Sequence, residues 1–290
     1  MKPMLGLLAL VFVVACGAVP RPLPGNAHPT PPTGALVAWQ TFPADQTPRP
    51  IVAFWNVFGS AAGFTGDSEK VAGMCGKLTV ATTLPGQPPS QAVAAWPDGA
   101  TTAYPGISAA EAFSGMTRAA TQMQSPECAS VAPLAVTSAR FGNALLRTDR
   151  GTATVSSWLF SATGVLGEMA YPALPRSAYW DDGTTKRSWG EGATMSADAH
   201  SLTFTFSGAP DNPGPCGADY TAAVAESSSA VAVAVLAIPH SAPDAPIACT
   251  AIAAFRTVTV ALARPLGGRV VVNASGDIVT VCPEADKPSC

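Results

Sequence analysis

Hydrophobic positions follow different periods in successive parts of this chain, and each period predicts a different element. An unbroken apolar run fills positions 4–14, too short to cross a bilayer as a helix. Prolines then crowd positions 17–34 (Pro20, Pro22, Pro24, Pro29, Pro31 and Pro32), which excludes helix and ladder and predicts an extended, polyproline-like tether. The apolar, aromatic run at 51–58 reads as a strand, and 77–83 as a second. Segments 92–96 and 101–104 flank Asp98-Gly99, a dipeptide suited to a tight hairpin turn. Ser108-Ala109-Ala110-Glu111 has the form of a capping box, and Phe113, Met116, Ala120 and Met123 follow at helical spacing. That helix stops before Pro126. Strands at 134–141, 152–161 and 165–171 complete an α+β pattern with one main helix.

Positions 172–197 are rich in Gly, Ser and Trp and show no period, which predicts a linker. Beyond it lie only short strands and turns, at 202–207, 220–226, 230–238, 257–263, 269–272 and 278–281. Their number and spacing predict an antiparallel, β-sandwich-like domain. The run at 230–238 alternates Ala with Val and reads as a buried strand.

The first apolar run gains meaning from its ends. Lys2 precedes it, and Val13-Val14-Ala15-Cys16-Gly17 closes it. This arrangement resembles the lipobox of bacterial lipoprotein signal peptides. The resemblance implies cleavage after Ala15 and acylation (a palmitate-type lipid) of Cys16. It gives the following organisation: signal peptide 1–15, lipidated Cys and Pro-rich tether 16–34, α+β domain 35–171, linker 172–197 and all-β domain 198–290. The expected location is the outer face of the cell membrane, with the lipid as the link to the bilayer.

Composition changes this picture little. The 290-residue chain is 48% hydrophobic and 12% charged with a formal net charge of −3, so it is neither disordered by composition nor basic enough for nucleic acid. Cysteine adds more. Apart from Cys16 there are Cys75, Cys128, Cys216, Cys249, Cys282 and Cys290, an even set that suits disulfides in an exported chain. Loop-closure entropy favours sequential pairs, 75–128, 216–249 and 282–290. The close Cys/His spacing of a zinc site is absent, so no metal and no cofactor is expected.

Two stretches carry a family likeness. One is the run at 150–160, RGTATVSSWLF. The other is Pro215-Cys216-Gly217-Ala218-Asp219-Tyr220, followed by Ala248-Cys249-Thr250 and Arg264-Pro265-Leu266-Gly267. Together they resemble a group of uncharacterised actinobacterial secreted proteins and lipoproteins, over roughly residues 50–281. The shared motifs are a Cys pair, turns and strand cores, so the resemblance implies no catalytic residue.

Chemistry-bearing residues are few. A hydrolytic triad needs a well-placed His, but His28 falls in the tether, and His200 and His240 sit in polar turns beside Ser. Asp67 and Glu69 read as loop residues. The one cluster suited to a ligand is Tyr179, Trp180, Asp181, Asp182 and Trp189, where flat rings beside carboxylates could form a sugar or peptide platform. Against that stands a plainer reading, in which the rings pack between the two domains and the Asp pair makes a turn. The sequence therefore predicts a membrane-anchored cell-envelope lipoprotein that binds or scaffolds without catalysis, toward an envelope protein or a cell-wall component. The alternatives are a small-ligand receptor for sugar or peptide, and an envelope hydrolase with unrecognised acidic residues, Asp181 or Asp182 among them.

Overall fold

The computed structural model describes residues 29–54, 61–120, 126–180, 187–241, 248–250 and 252–283. Cys16, Cys290, Asp181, Asp182, the signal peptide and most of the tether lie outside the described residues, as does the side chain of Trp189.

A short β1 (Ala61–Phe64) pairs with β7 (Val165–Gly167), apart from the larger sheets. A six-stranded sheet contains β2 (Leu78–Val80), β3 (Ala92–Ala95), β4 (Thr101–Tyr104), β5 (Leu134–Thr148), β6 (Gly151–Ala162) and β8 (Met169–Pro172). Its order is β2-β5-β6-β3-β4, with β8 pairing along another part of β6. The β5–β6 hairpin is its spine, turning at Asp149-Arg150 with Gly151 at a φ of +90° that favours glycine.

Two helices accompany this sheet. The second, α2 (Ala109–Ala120), begins at the expected capping box. The Ser108 N–H and hydroxyl both donate to Glu111 Oε2 at 2.8 Å, and the Glu111 N–H donates back to Ser108 Oγ at 3.2 Å. Met116 and Ala112 are fully buried against the sheet, with Phe113 edge-on to Phe160. Gly115 lets the helix approach β8, since a Cβ there would stand 2.4 Å from the Tyr171 hydroxyl. The first helix, α1 (Asp67–Met74), corrects the sequence reading, which placed Asp67 and Glu69 in a loop. Both carboxylates occupy its first turn, where they complement the helix dipole. It is only two turns long and lacks a clear apolar stripe, so no periodicity announced it.

The seven-stranded sheet contains β9 (Arg187–Met195), β10 (Ser201–Gly208), β11 (Ala218–Glu226), β12 (Ala230–Pro239), β13 (Ala254–Ala261), β14 (Val270–Asn273) and β15 (Ile278–Pro283). The order β11-β12-β14-β15-β9-β10-β13 is mixed, with parallel pairs β12/β14 and β15/β9. The predicted α+β class and disulfide stapling are both present. The C-terminal part departs from a plain antiparallel arrangement at those two parallel pairs. The sheet also curls until its ends nearly meet: Arg256 on β13 donates to the Ala218 carbonyl of β11 at 3.2 Å and lies over the Tyr220 ring.

Both faces of the middle strands β12, β14 and β15 are covered. Val231 and Val233 of β12 join Leu202, Phe204, Val260, Val271 and Val279 inside the curl. The alternate residues, Ala230 and Ala232, face Leu36, Trp39, Phe42 and Val52 together with Val270, Val272 and Ile278. The Ala/Val alternation therefore records two different cores, a roomy one that takes Val and a close one that takes Ala. The close cover is an N-terminal strap, starting with the 3-10 turn Thr33–Trp39. The sequence reading grouped positions 35–54 with the α+β part, and the structure packs much of this strap on the seven-stranded sheet instead. Likewise β9, from the segment read as a linker, is an interior strand between β15 and β10.

The two large sheets meet at a buried ion pair. Arg49 of the strap reaches Asp149 at the β5–β6 turn at 2.5 Å, both side chains being under 10% exposed. Its Nε also donates to the Gly268 carbonyl at 2.5 Å. The Asp149 main chain completes the joint, donating to the Val52 carbonyl and accepting from the Val281 N–H of β15. Gly268 permits the close approach, because a Cβ there would lie 2.0 Å from the Ala44 carbonyl oxygen.

Two disulfides are described, Cys75–Cys128 and Cys216–Cys249. The first ties the end of α1 to the 3-10 turn Pro126–Ala129 beyond α2, and the second ties the loop before β11 to the segment before β13. Cys282 is also disulfide-bonded. These bonds belong to an oxidising, extracytoplasmic compartment. No helix among the described residues is long and apolar enough to cross a membrane.

Candidate functional site

The ring cluster singled out by sequence is split by the fold. Ile51 forms an isolated parallel bridge with Tyr179, and the Trp180 N–H donates to the Ile51 carbonyl at 2.9 Å. Adjacent residues of an extended segment point to opposite sides. Tyr179 accordingly packs against the core of the six-stranded sheet, while Trp180 packs on the strap side, with its ring edge-on to Phe42 at 5.4 Å. Burial pushes the Tyr179 phenol well above its usual range. These two rings share no ligand-facing surface. Asp181 and Asp182 lie outside the described residues, and only the backbone of Trp189 is placed, on β9.

The same junction holds Arg150, whose guanidinium lies 3.6 Å from the centroid of Trp96. Burial is the largest influence on it and disfavours its charge, reinforced by the neighbouring Arg49 cation. Arg49, Asp149, Arg150 and Trp96 together form a joint between sheets. A shallow groove of about 210 Å³ runs between α1 and the start of β5, lined by residues including Ser68, Glu69, Pro133 and Thr163. Glu69 is its only ionisable lining residue.

A more extended surface lies on the outside of the seven-stranded sheet. Along β10 the even residues Leu202, Phe204 and Phe206 turn inward. Ser201, Thr203, Thr205 and Ser207 turn outward. On β13 the outward residues are Phe255, Thr257, Thr259 and Ala261. The register places these directly opposite one another: Thr203 beside Thr259, Thr205 beside Thr257 and Ser207 beside Phe255. Thr194 and Gly192 of β9 extend the same face beyond Thr203 and Thr205. The Thr203 and Thr259 hydroxyls are 3.0 Å apart. No charged side chain stands at any of these positions. Phe255 is 83% exposed, a large ring at one end of this hydroxyl row. The pattern at 202–207 predicts a strand but not this face, because the register with β13 joins segments about fifty residues apart.

The histidines occupy different settings. His200 follows the β9–β10 turn, where its N–H donates to Asp198 Oδ1 at 3.1 Å. His240 follows β12, and its ring stands near Asp219 at the start of β11 and Asp211 in the preceding loop. Nothing in the linear spacing of Asp211, Asp219 and His240 marks them as neighbours.

Comparison with known protein families, with curated proteins and with solved structures finds no match to this chain.

Proposed function

We propose that this protein is a non-catalytic binding or scaffolding lipoprotein of the cell envelope, held to the outer face of the membrane through lipidated Cys16. Its contact surface is the outer face of β9, β10 and β13, and its target is a neutral, hydroxyl-rich cell-wall component. The observation that carries this reading is the charge-free Thr/Ser array with the exposed Phe255 ring at its end. An uncharged hydroxyl face exchanges hydrogen bonds with neutral polymer hydroxyls, and an exposed ring supplies flat apolar contact to a sugar face. The resemblance to actinobacterial secreted proteins and lipoproteins supports the envelope setting. A Pro-rich tether would hold the folded part away from the bilayer, within reach of the wall.

The test is co-sedimentation of the folded protein with insoluble cell-wall polymer, alongside crosslinking in intact cells. Wild type is expected to sediment saturably, and Phe255→Ser and Thr257→Lys to sediment at least several-fold less. In cells, crosslinks to the wall should weaken in a Cys16→Ala form released from the membrane. Wall binding unchanged by both face substitutions would overturn the reading.

A further inference from the structure

At the end of the seven-stranded sheet farthest along β12, three side chains from separate segments converge. Asp211 comes from the loop after β10, Asp219 from the second position of β11, and His240 from the residue after β12. One ligating atom from each lies within 4.8 Å of the others. We propose that these residues form a binding site for a divalent first-row transition ion of the zinc type.

The geometry of the imidazole argues for a ligand. Its Nδ1 is 2.7 Å from the main-chain carbonyl oxygen of Asn212, so this nitrogen carries the proton and donates. With Nδ1 so occupied, Nε2 is the nitrogen left to face Asp219 and Asp211. A backbone carbonyl behind the far ring nitrogen is the usual way a metal-binding imidazole is oriented. Nε2 stands 3.2 Å from Asp219 Oδ1 and 3.8 Å from Asp211 Oδ1. Tetrahedral zinc with nitrogen and oxygen ligands at about 2.0–2.2 Å separates neighbouring ligand atoms by roughly 3.4 Å. The two observed distances lie on either side of that value. Three protein ligands leave a fourth position, and it faces solvent because the two carboxylates are 74% and 70% exposed.

The surrounding chain holds these donors in place. The His240 N–H donates to the Gly217 carbonyl at 3.1 Å, tying the end of β12 to the loop before β11. Gly217 is needed there: a Cβ would lie 1.7 Å from the Asn212 oxygen and 2.9 Å from His240 Nδ1. The Cys216–Cys249 disulfide lies beside Gly217 and fastens the same loop. Asp219 is fixed by its pairing with Ile238 in the β11–β12 ladder. One imidazole with two carboxylates suits zinc, cobalt or manganese better than calcium or magnesium, which prefer oxygen alone.

Zinc titrated into the chelator-treated, disulfide-bonded protein tests this, read by calorimetry and by thermal melting, with cobalt absorption as the coordination signature. One saturable zinc per chain and a raised Tm are expected in wild type and in His200→Ala. His240→Ala and Asp219→Asn should each weaken binding by roughly tenfold to a hundredfold or more. Because Asp219 is exposed, its Asn variant keeps the test decisive where His240→Ala fails to fold. Absence of saturable zinc binding, or binding equal to wild type in Asp219→Asn, would overturn the proposal.

Discussion

The six-stranded sheet is covered by a helix whose start, stripe and stop are written in consecutive residues, whereas the seven-stranded sheet is covered by an irregular strap from the other end of the chain. α2 carries its own capping box and lays Ala112 and Met116 on strands formed nearby in sequence. The strap has neither period nor cap; Leu36, Trp39 and Phe42 cover Ala230, Ala232, Val270 and Val272. Propensity and local capping account for the first cover. Only shape accounts for the second, since small residues on one side of β12 make room for large ones on the strap. Local order is thus a poor guide to which cover matters more for stability.

The joint between the two sheets gives the largest expected effect. Asp149→Ala would leave the Arg49 guanidinium buried without its carboxylate, a loss of about 3–5 kcal/mol. Calorimetry should show a lower Tm and a separation of one transition into two as the sheets lose their coupling. A single unshifted transition would mean that the strap joins them without the ion pair. A smaller effect is expected from Ala232→Leu, which overfills the close core by two or more methylene equivalents and costs about 1–3 kcal/mol. Chemical denaturation should detect it, and signals from α2 should follow only as far as the sheets are coupled.

The smallest difference concerns acid. Burial pushes the Glu226 carboxyl upward, but the Ala263 N–H and the Arg269 guanidinium outweigh it and hold it below its ordinary value. Arg269 is almost fully buried and also donates to the carbonyls of Arg264, Pro265 and Leu266. A depressed carboxyl stabilises the fold above its unfolded value, and that contribution fades as pH falls through the folded one. The seven-stranded sheet should therefore lose stability on the acid side of the ordinary carboxylate range. Glu226→Gln should flatten that limb in a melting series across pH; a limb equally steep in the variant would assign acid sensitivity elsewhere.

Much of the six-stranded part was legible because its determinants are neighbours. The capping box, the Asp98-Gly99 hairpin turn and the 75–128 and 216–249 cysteine pairs could all be read from adjacent residues or from loop length. α1 escaped because two turns are too few to show a stripe. β9 escaped because glycines at 190 and 192 break its alternation, although parallel pairing with β15 buries it in the sheet. Tyr179 stands out in the sequence for its ring, yet the bridge to Ile51 turns that ring into a core. The outward Thr array and the Asp211, Asp219 and His240 group depend on register between distant strands. Register of that kind leaves no trace in local spacing.

The strap also fixes the order in which this protein can be completed. Arg49 hydrogen-bonds to Gly268 across 219 positions, and the Thr33–Trp39 turn rests on β11, β12 and β14, strands far later in the chain. A segment made early is therefore among the last to find its place. Until the C-terminal strands arrive, Leu36, Trp39 and Phe42 remain bare on a growing chain. Contacts this distant slow folding and prolong the lifetime of sticky intermediates. On a nascent chain of this design that apolar face stays open until the strands it covers have formed.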